Sequence, residues 1–392
     1  MKTIRDLDIK GKKILIRVDF NVPLDKEQKI TDDNRIREAL PTIRHAVAEG
    51  ARIIICSHLG RPKGERKPEL SMSPAARRLS ELLGKEVKFA PDCIGEKVEE
   101  MAAGLAEGEI MVLENLRFHK EEKDNDPEFA AALAGLADIY INDAFAVSHR
   151  AHASIEGITH HIKETGAGFL LQKEMDFFHR SVSNPIRPLT ALIGGVKVSS
   201  KFKALENIMQ KVDTMIIGGA MANTFLKSQG IDMGGSMVED DFLDSAASLI
   251  KEAKGKKVNL YLPVDCVAAE RFEEGCASKI TPVQEIPRGW LALDIGPATT
   301  TLFREALEPA RTIVWNGPTG AFEMDTYARS TMALAQQIAT SHALSVVGGG
   351  DTVSAVYKSG WPAEISYIST GGGAFLMLME GRELPGVIAL DS

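Results

Sequence analysis

Asp351 follows three glycines at the end of an apolar run, in "SVVGGGDTVSAV" (345–356). Bare backbone ahead of a helix suits a phosphate, which the first N–H groups of the helix would attract. A carboxylate beside it repels phosphate unless a cation sits between them, and Mg²⁺ carried by a nucleotide meets that need at Asp351. The competing reading is a tight strand-to-helix turn capped by Asp351. Lys197 and Lys201 in "GGVKVSSK" (194–201) stand four apart and share a face if one helix covers both. One of them could then neutralise phosphate oxygens; otherwise they are an exposed helix face.

A second group of residues is basic. Asp19 lies at the end of the run "KKILIRVDF" and Asn21 just after it, His58 and Arg61 lie in "SHLGRP", Arg117 in "ENLRF", and Arg150 in "NDAFAVSHRAHAS". Arg35 belongs to "TDDNRIREAL". A single arginine reads as a solvated surface charge. Several at one edge of a sheet present planar forks to carboxylate and phosphate oxygens, which points to a small polyanion. The sequence has no Walker A motif, no G-x-G-x-x-G after a strand, and none of the protein-kinase signatures. "HRAH" and "HH" occur without H-E-x-x-H or a nearby cysteine, which argues against a transition-metal centre.

The elements that must position these groups alternate along the chain. "KKILIRVDF", "ARIIICS", "GEIMVLEN" and "ADIYIND" read as short buried strands. "RPLTALIGG", "VDTMIIGG", "KVNLYLP", "ARTIVWNG", "ALSVVGGG" and "EISYISTGGG" repeat the pattern later. In "SPAARRLSELLG", Ser73 is the expected N-cap, Pro74 lies in the first turn and Gly84 ends the helix. The fold class expected is α/β, with two similar-sized lobes, each a parallel sheet with helices on both faces. The joint falls in 166–188, an amphipathic helix followed by a proline-bearing segment. Ligands on such sheets bind beyond the C-terminal strand ends. Those ends carry arginine in the first lobe and glycine in the second. A chain of 392 residues with net charge −8 and four scattered cysteines reads as a two-domain protein with reduced thiols, without a nonspecific nucleic-acid coat. The charged start and the lack of any long apolar run give the expectation of a cytoplasmic protein with no membrane partner.

"RVDFNVP", "SHLGRP", "LENLRFH", "GGVKVSSK", "WNGPTGAFE" and "GGGDT" together resemble the phosphoglycerate kinase family, in order and spacing along essentially the whole chain. The resemblance implies reversible phosphoryl transfer between ATP and 3-phosphoglycerate, giving ADP and 1,3-bisphosphoglycerate, with Mg²⁺ accompanying the nucleotide. It implies an N-terminal phosphoglycerate-binding domain over 1–168, a helix and linker over 169–186, and a nucleotide-binding domain over 187–372. Residues 373–392 would return to the N-terminal domain, and the enzyme would be a monomer that closes about a hinge. Asp19, Asn21, Arg35, His58, Arg61, Arg117 and Arg150 would hold the acid. Lys197, Lys201, Gly219, Asn316 and Glu323 would surround the nucleotide, with Gly349, Gly350, Asp351 and Thr352.

A phosphoryl group in transfer spreads charge over three equatorial oxygens and needs placed cations more than an acid–base pair. Arg35, Lys201 and the helix starts at Gly350 and Gly373 are the catalytic candidates. A carboxylate acceptor needs no general base, and Asp19 would orient Arg35 or the substrate hydroxyl. Three departures from the family pattern are "FAVSH" (145–149) where Gly-Thr-Ala is usual before His, Ala220 where a third glycine is common, and Phe375 where a small serine follows the glycines. Two other classes compete. An isomerase or dehydrogenase would need a poised base or a dinucleotide fingerprint, and neither is present. A catalytically silent nucleotide-binding protein would be expected to lack part of the arginine set or Lys201, and both are intact.

Overall fold

The run Lys13–Arg17 (β1) becomes a strand because Ile14, Leu15 and Ile16 are all buried, as expected where helices cover both faces of a sheet. The computed structural model describes residues 1–391. β1 pairs in parallel with β2 (Arg52–Cys56) on one side and β5 (Ile139–Asn142) on the other. With β3 (Val87–Phe89), β4 (Ile110–Val112) and β6 (Glu164–Ala167), they form a six-stranded sheet in the order β3-β4-β2-β1-β5-β6. Its core joins Ile14, Ile16, Ile53 and Ile55 to Ile36, Ile43 and Leu79 from the covering helices.

A second parallel sheet is built from β7 (Leu189–Ile193), β8 (Thr214–Ile217), β9 (Asn259–Tyr261), β13 (Thr312–Asn316), β14 (Leu344–Val347) and β15 (Tyr367–Ile368). Their order is β15-β14-β13-β7-β8-β9. Trp315, Phe303 and Leu334 fill its core. Between β9 and β13 the chain makes a small antiparallel sheet of β10 (Asp265–Ala269), β11 (Ser278–Pro282) and β12 (Leu291–Ile295), which the sequence reading did not include.

The chain forms two units, one of Met1–Met175 with the tail from Glu383, the other of Asp176–Arg382. The tail belongs to the first unit through specific bonds: Asn142 Nδ2 donates to Gly386 O at 2.9 Å, and Thr165 Oγ1 to Leu390 O at 3.1 Å. The helix Gly372–Met379 stays with the second unit, so the return begins at Glu383 and not at residue 373. The helix over Phe169–Phe178 continues as a π-helical turn over His179–Ser183.

Two local expectations change. The helix Ser73–Leu83 ends at Gly84, at φ +62°, as its sequence indicates, but Ser73 is inside it and does not cap it. The start is held from outside instead: Glu114 accepts from Met72 N at 2.8 Å, and Ser71 Oγ accepts from Ser73 N at 3.2 Å. Lys197 and Lys201 do not share a helix, because the helix begins at Phe202 and both precede it.

Candidate active site

β1, β2, β4 and β5 end side by side, and the loops beyond them carry the basic residues. Arg35, in the first turn of the helix Asn34–Ala48, donates through Nη1 to Asp19 Oδ2, so Asp19 does orient Arg35. Asn21 Oδ1 accepts from Gly60 N at 2.9 Å and ties the first loop to the second. Arg117 Nη1 donates to Gly60 O at 2.9 Å, while its buried Nε has no hydrogen-bond partner. Burial lowers the Arg117 pKa to about 10, helped by the charges of Arg17 and Arg150, so it remains a cation at neutral pH. Arg61 is exposed and makes no side-chain hydrogen bond to another described residue. Arg150, also exposed, donates to His149 Nε2 at 3.1 Å.

His58 is buried among these cations. Burial first, then Arg17, Arg117 and Arg35, hold its pKa well below the usual 6.5. It is therefore neutral. Arg17 Nη2 lies 3.2 Å from His58 Nδ1, and a guanidinium has no lone pair to offer. Nδ1 must accept, which leaves the imidazole proton on Nε2. Arg17 itself was missed in the sequence, although a charge inside the apolar run of "KKILIRVDF" was the signal available. His152 and Glu122, buried beside it, were missed as well. Burial, then Arg17 and Arg117, lowers the His152 pKa to about 3.

In the second unit the strand ends form a tight backbone crossing. A Cβ on Gly194 would lie 2.2 Å from Pro318 O, and one on Gly219 (φ +69°) would lie 2.6 Å from Gly195 N. Only glycine lets these loops meet. Beside them opens a cavity of about 780 Å³, lined by Gly195, Gly219, Ala220, Phe272, Leu291, Glu323 and Asp351 among others. Its size and largely apolar wall suit a small ligand with a flat ring. Ala220, one of the departures, faces this space. Phe375, another, is buried: a Cβ on Gly348 would lie 2.3 Å from its ring, so this glycine makes room for it.

Lys201 sits against the crossing. Its Nζ donates to Gly194 O at 2.8 Å and to Asn316 O at 3.2 Å. Burial lowers its pKa to about 8, and Asp351 partly opposes that shift. Asn316 Nδ2 donates to Gly348 O at 2.8 Å, and Thr352 Oγ1 accepts from Gly317 N at 2.7 Å while donating to Gly348 O at 2.9 Å. Both side chains hold loop backbone in place. Gly349, at φ +96°, is the N-cap of the helix Gly350–Ser359, so Asp351 is not the cap. The Asp351 carboxylate is exposed and makes no hydrogen bond or ion pair among the described residues. Gly350 and Gly373 are exposed in the first turns of two helices, Gly350–Ser359 and Gly372–Met379. These starts adjoin: a Cβ on Gly372 would lie 3.6 Å from Gly350 N. Lys197 is exposed in the turn before Lys201. Elsewhere, Asp92, Cys93 and His119 bring ligand atoms within 4.8 Å of one another, with Asp92 accepting from His119 at 2.8 Å and paired with Arg66 at 3.4 Å.

The profile of the phosphoglycerate kinase family matches residues 4–382. The chain belongs to the phosphoglycerate kinase family. It is 59% identical over 392 residues to the phosphoglycerate kinase of Desulfotalea psychrophila, covering all of both chains. It is 57% identical to that of Geobacter metallireducens over 98% of this chain and 96% of the relative. Among solved structures, phosphoglycerate kinase from Coxiella burnetii superimposes with a TM-score of 0.91 at 41% identity, over 99% of this chain and 98% of the other. The enzyme from Pyrococcus horikoshii gives 0.85 at 32% identity, over 100% and 98%. The chain is thus an enzyme and a phosphotransferase, and the isomerase, dehydrogenase and silent-binder readings fall away. Among the described residues no helix is long and apolar enough to cross a membrane.

Proposed function

We propose that the enzyme carries out reversible glycolytic transfer of the γ-phosphoryl group of ATP to the carboxylate of 3-phosphoglycerate, with the acid on the first unit and the nucleotide on the second. The observation that carries this reading is the glycine edge. A half-buried cation, Lys201, stands behind Gly195, which lines the cavity together with Asp351, and lies within electrostatic reach of that carboxylate. A nucleotide phosphate chain with its metal needs one group of each kind. The donor set fits Mg²⁺, since Asp351 is a free, exposed oxygen ligand of the type that holds the ion together with substrate phosphates. Bound there, Mg²⁺ would neutralise charge on the phosphate oxygens.

The acid side follows from charge and hydrogen bonding. Arg117 offers a buried Nε that lacks a protein acceptor, and Arg35 is held by Asp19. Asn21, His58, Arg61 and Arg150 complete the proposed acid site. The carboxylate acceptor is ionised at neutral pH and needs no base. Arg35, Lys201 and the helix starts at Gly350 and Gly373 face the charge that develops on the phosphoryl oxygens. Lys197, Gly219, Asn316, Glu323, Gly349 and Thr352 shape or bind the nucleotide side.

Calorimetry tests the division of labour. MgATP should bind Arg117→Ala as it binds wild type, and 3-phosphoglycerate should bind Lys201→Ala nearly as well. A crossed pattern would reassign the two edges. Transfer also needs the reacting atoms at roughly 3–3.5 Å with water excluded. Domain closure on the ternary complex is therefore part of the proposal, and small-angle scattering should show compaction with both ligands together. An unchanged radius of gyration in enzyme that is turning over would remove closure from the mechanism. The enzyme is proposed to act as a cytoplasmic monomer.

A further inference from the structure

Beneath the basic edge of the first unit runs a buried chain of polar groups that the reaction does not explain. Arg17 is fully buried in β1 and directs its donors three ways: Nε to Ser154 Oγ at 2.9 Å, Nη1 to Val18 O, and Nη2 to His58 Nδ1. Ser154 Oγ accepts from Arg17, so its own proton goes on to Glu122 Oε1 at 2.7 Å. The Ser154 N–H donates to Glu122 Oε2 at 2.9 Å. Glu122 and Ser154 are both fully buried. The direction of every bond in this chain is fixed by chemistry, because a guanidinium can only donate and an ionised carboxylate can only accept.

We infer that Glu122 is a positioning residue: through Ser154 and Arg17 it holds His58 as the Nε2–H tautomer at the acid edge. Two observations favour a relay over a local structural role. Asp19 Oδ1, the other group near His58 Nδ1, is 3.8 Å away and beyond hydrogen-bond reach, so Arg17 decides the tautomer. His152 Nδ1 is 3.7 Å from Glu122 Oε1 and has no hydrogen-bond partner, so it does not compete for the carboxylate. Burial raises the Glu122 pKa, and the charge of Arg17 with the two Ser154 bonds opposes that rise. Carboxylate and guanidinium thus support each other's charge, and an arginine left there without its partner would move or draw in water. The inference rests on the placing of the acid at this edge only for its kinetic consequence.

The test uses the full-length enzyme with ¹⁵N-labelled histidine and the variants Ser154→Ala, Glu122→Gln and the double variant. Wild type should show His58 as a pure Nε2–H imidazole. Ser154→Ala, which keeps the carboxylate and removes only the bridging hydroxyl, should give a mixture of tautomers. It should also raise the 3-phosphoglycerate KM about tenfold, the loss expected for one hydrogen bond to a charged partner, with the MgATP KM unchanged. Glu122→Gln should do the same, since the two Ser154 donors reach different carboxylate oxygens and the amide nitrogen that replaces one of them cannot accept. Adding it to Ser154→Ala should change little more, because the two act in series. If Glu122→Gln does not fold, Ser154→Ala alone decides. An unchanged His58 spectrum in Ser154→Ala overturns the relay, whatever the KM does. Fully additive effects would also overturn it. A shifted tautomer with an unchanged acid KM keeps the relay and overturns the placing of the acid at His58.

Discussion

Replacing Lys201 by alanine should separate holding phosphate from stabilising the transfer. In the free enzyme Nζ already has two protein acceptors, Gly194 O at 2.8 Å and Asn316 O at 3.2 Å. A ground-state phosphate must compete with those carbonyls, so the net gain in nucleotide binding is small. In the transition state the phosphoryl oxygens carry more accessible charge, and the ammonium interacts more strongly with them in a site that has excluded water. Losing one preorganised donor of this kind costs about 10²–10³ in rate, or about 2.7–4 kcal/mol. Turnover should therefore fall by that factor while the MgATP dissociation constant rises by less than about tenfold. Arginine should not rescue it: the two carbonyls, Gly194 O and Asn316 O, hold a compact ammonium, and a planar guanidinium fork does not reproduce that point charge. With its pKa near 8, wild-type kcat/KM for MgATP should also decline above about pH 8, and Lys201→Ala should lack that limb. The decline cannot be unfolding caused by this lysine. Its folded pKa lies below the ordinary 10.5, so between the two values the unfolded chain binds the extra proton and stability rises with pH. Stopped-flow single turnovers with fluorescence titration of MgATP give both quantities. Equal losses in affinity and rate would refute the reasoning and leave Lys201 a ground-state phosphate ligand.

Three further outcomes follow from the same geometry. Arg117→Ala should raise the 3-phosphoglycerate KM by about 1.5–3 kcal/mol equivalent and leave MgATP binding alone, and Arg117→Lys should not restore it, because a point charge cannot hold Gly60 O and an anion as a planar fork does. Gly219→Ala should lower the melting temperature and weaken MgATP binding, since φ +69° and a Cβ 2.6 Å from Gly195 N combine backbone strain with displacement of the cavity wall; an unchanged melting curve would show that the crossing is not tight. Asp143→Asn should flatten the pH dependence of stability: burial raises the Asp143 pKa to about 7 from 3.8, so the folded state holds the proton and wild type loses stability as pH rises across that window. Thermal melts at pH 5 and pH 8 read this directly, and a wild type whose melting temperature does not fall between them contradicts it.

Most parallel strands were legible because each is a short apolar run closed by a turn, and the candidate site loops because glycine and arginine recur where those runs end. Val87–Phe89 and Glu164–Ala167 were not, because the one buries no residue fully and the other buries only Gly166 and Ala167. The small antiparallel sheet was not legible either: its central strand, Asp265–Ala269, is buried but short on large apolar residues, and its outer strands lie partly in solvent. Ser278–Pro282 buries only Thr281, and so carries no apolar signature. Ser73 failed as a cap because Glu114, 41 positions away in sequence from the residue displaced, supplies tertiary acceptors that local pattern cannot foresee. Lys197 was grouped with Lys201 by spacing alone, yet the helix begins only after both, so one lysine turns inward to two carbonyls and the other stays in solvent.

Arg17 shows a deeper reason for what was missed. Reading strands by apolar periodicity treats burial and charge as exclusive, and a buried arginine breaks that assumption only when several partners converge on it from distant parts of the chain. Here His58 and Ser154 come from loops and Glu122, reached through Ser154, from the short helix Glu121–Asp124, segments well separated in sequence from β1. The same argument explains Phe375. A large ring where the family favours a small residue looks disruptive in one dimension, but the bare Cα of Gly348 receives it, and Phe178 meets it edge-on at 6.2 Å. Gly348 therefore answers to packing, while its neighbours Gly349 and Gly350 form the helix start proposed for the phosphate, Gly349 with a φ of +96°. Substituting Phe375 should accordingly change stability before it changes nucleotide affinity, whereas substituting Gly350, which has open space at its Cβ, should do the reverse.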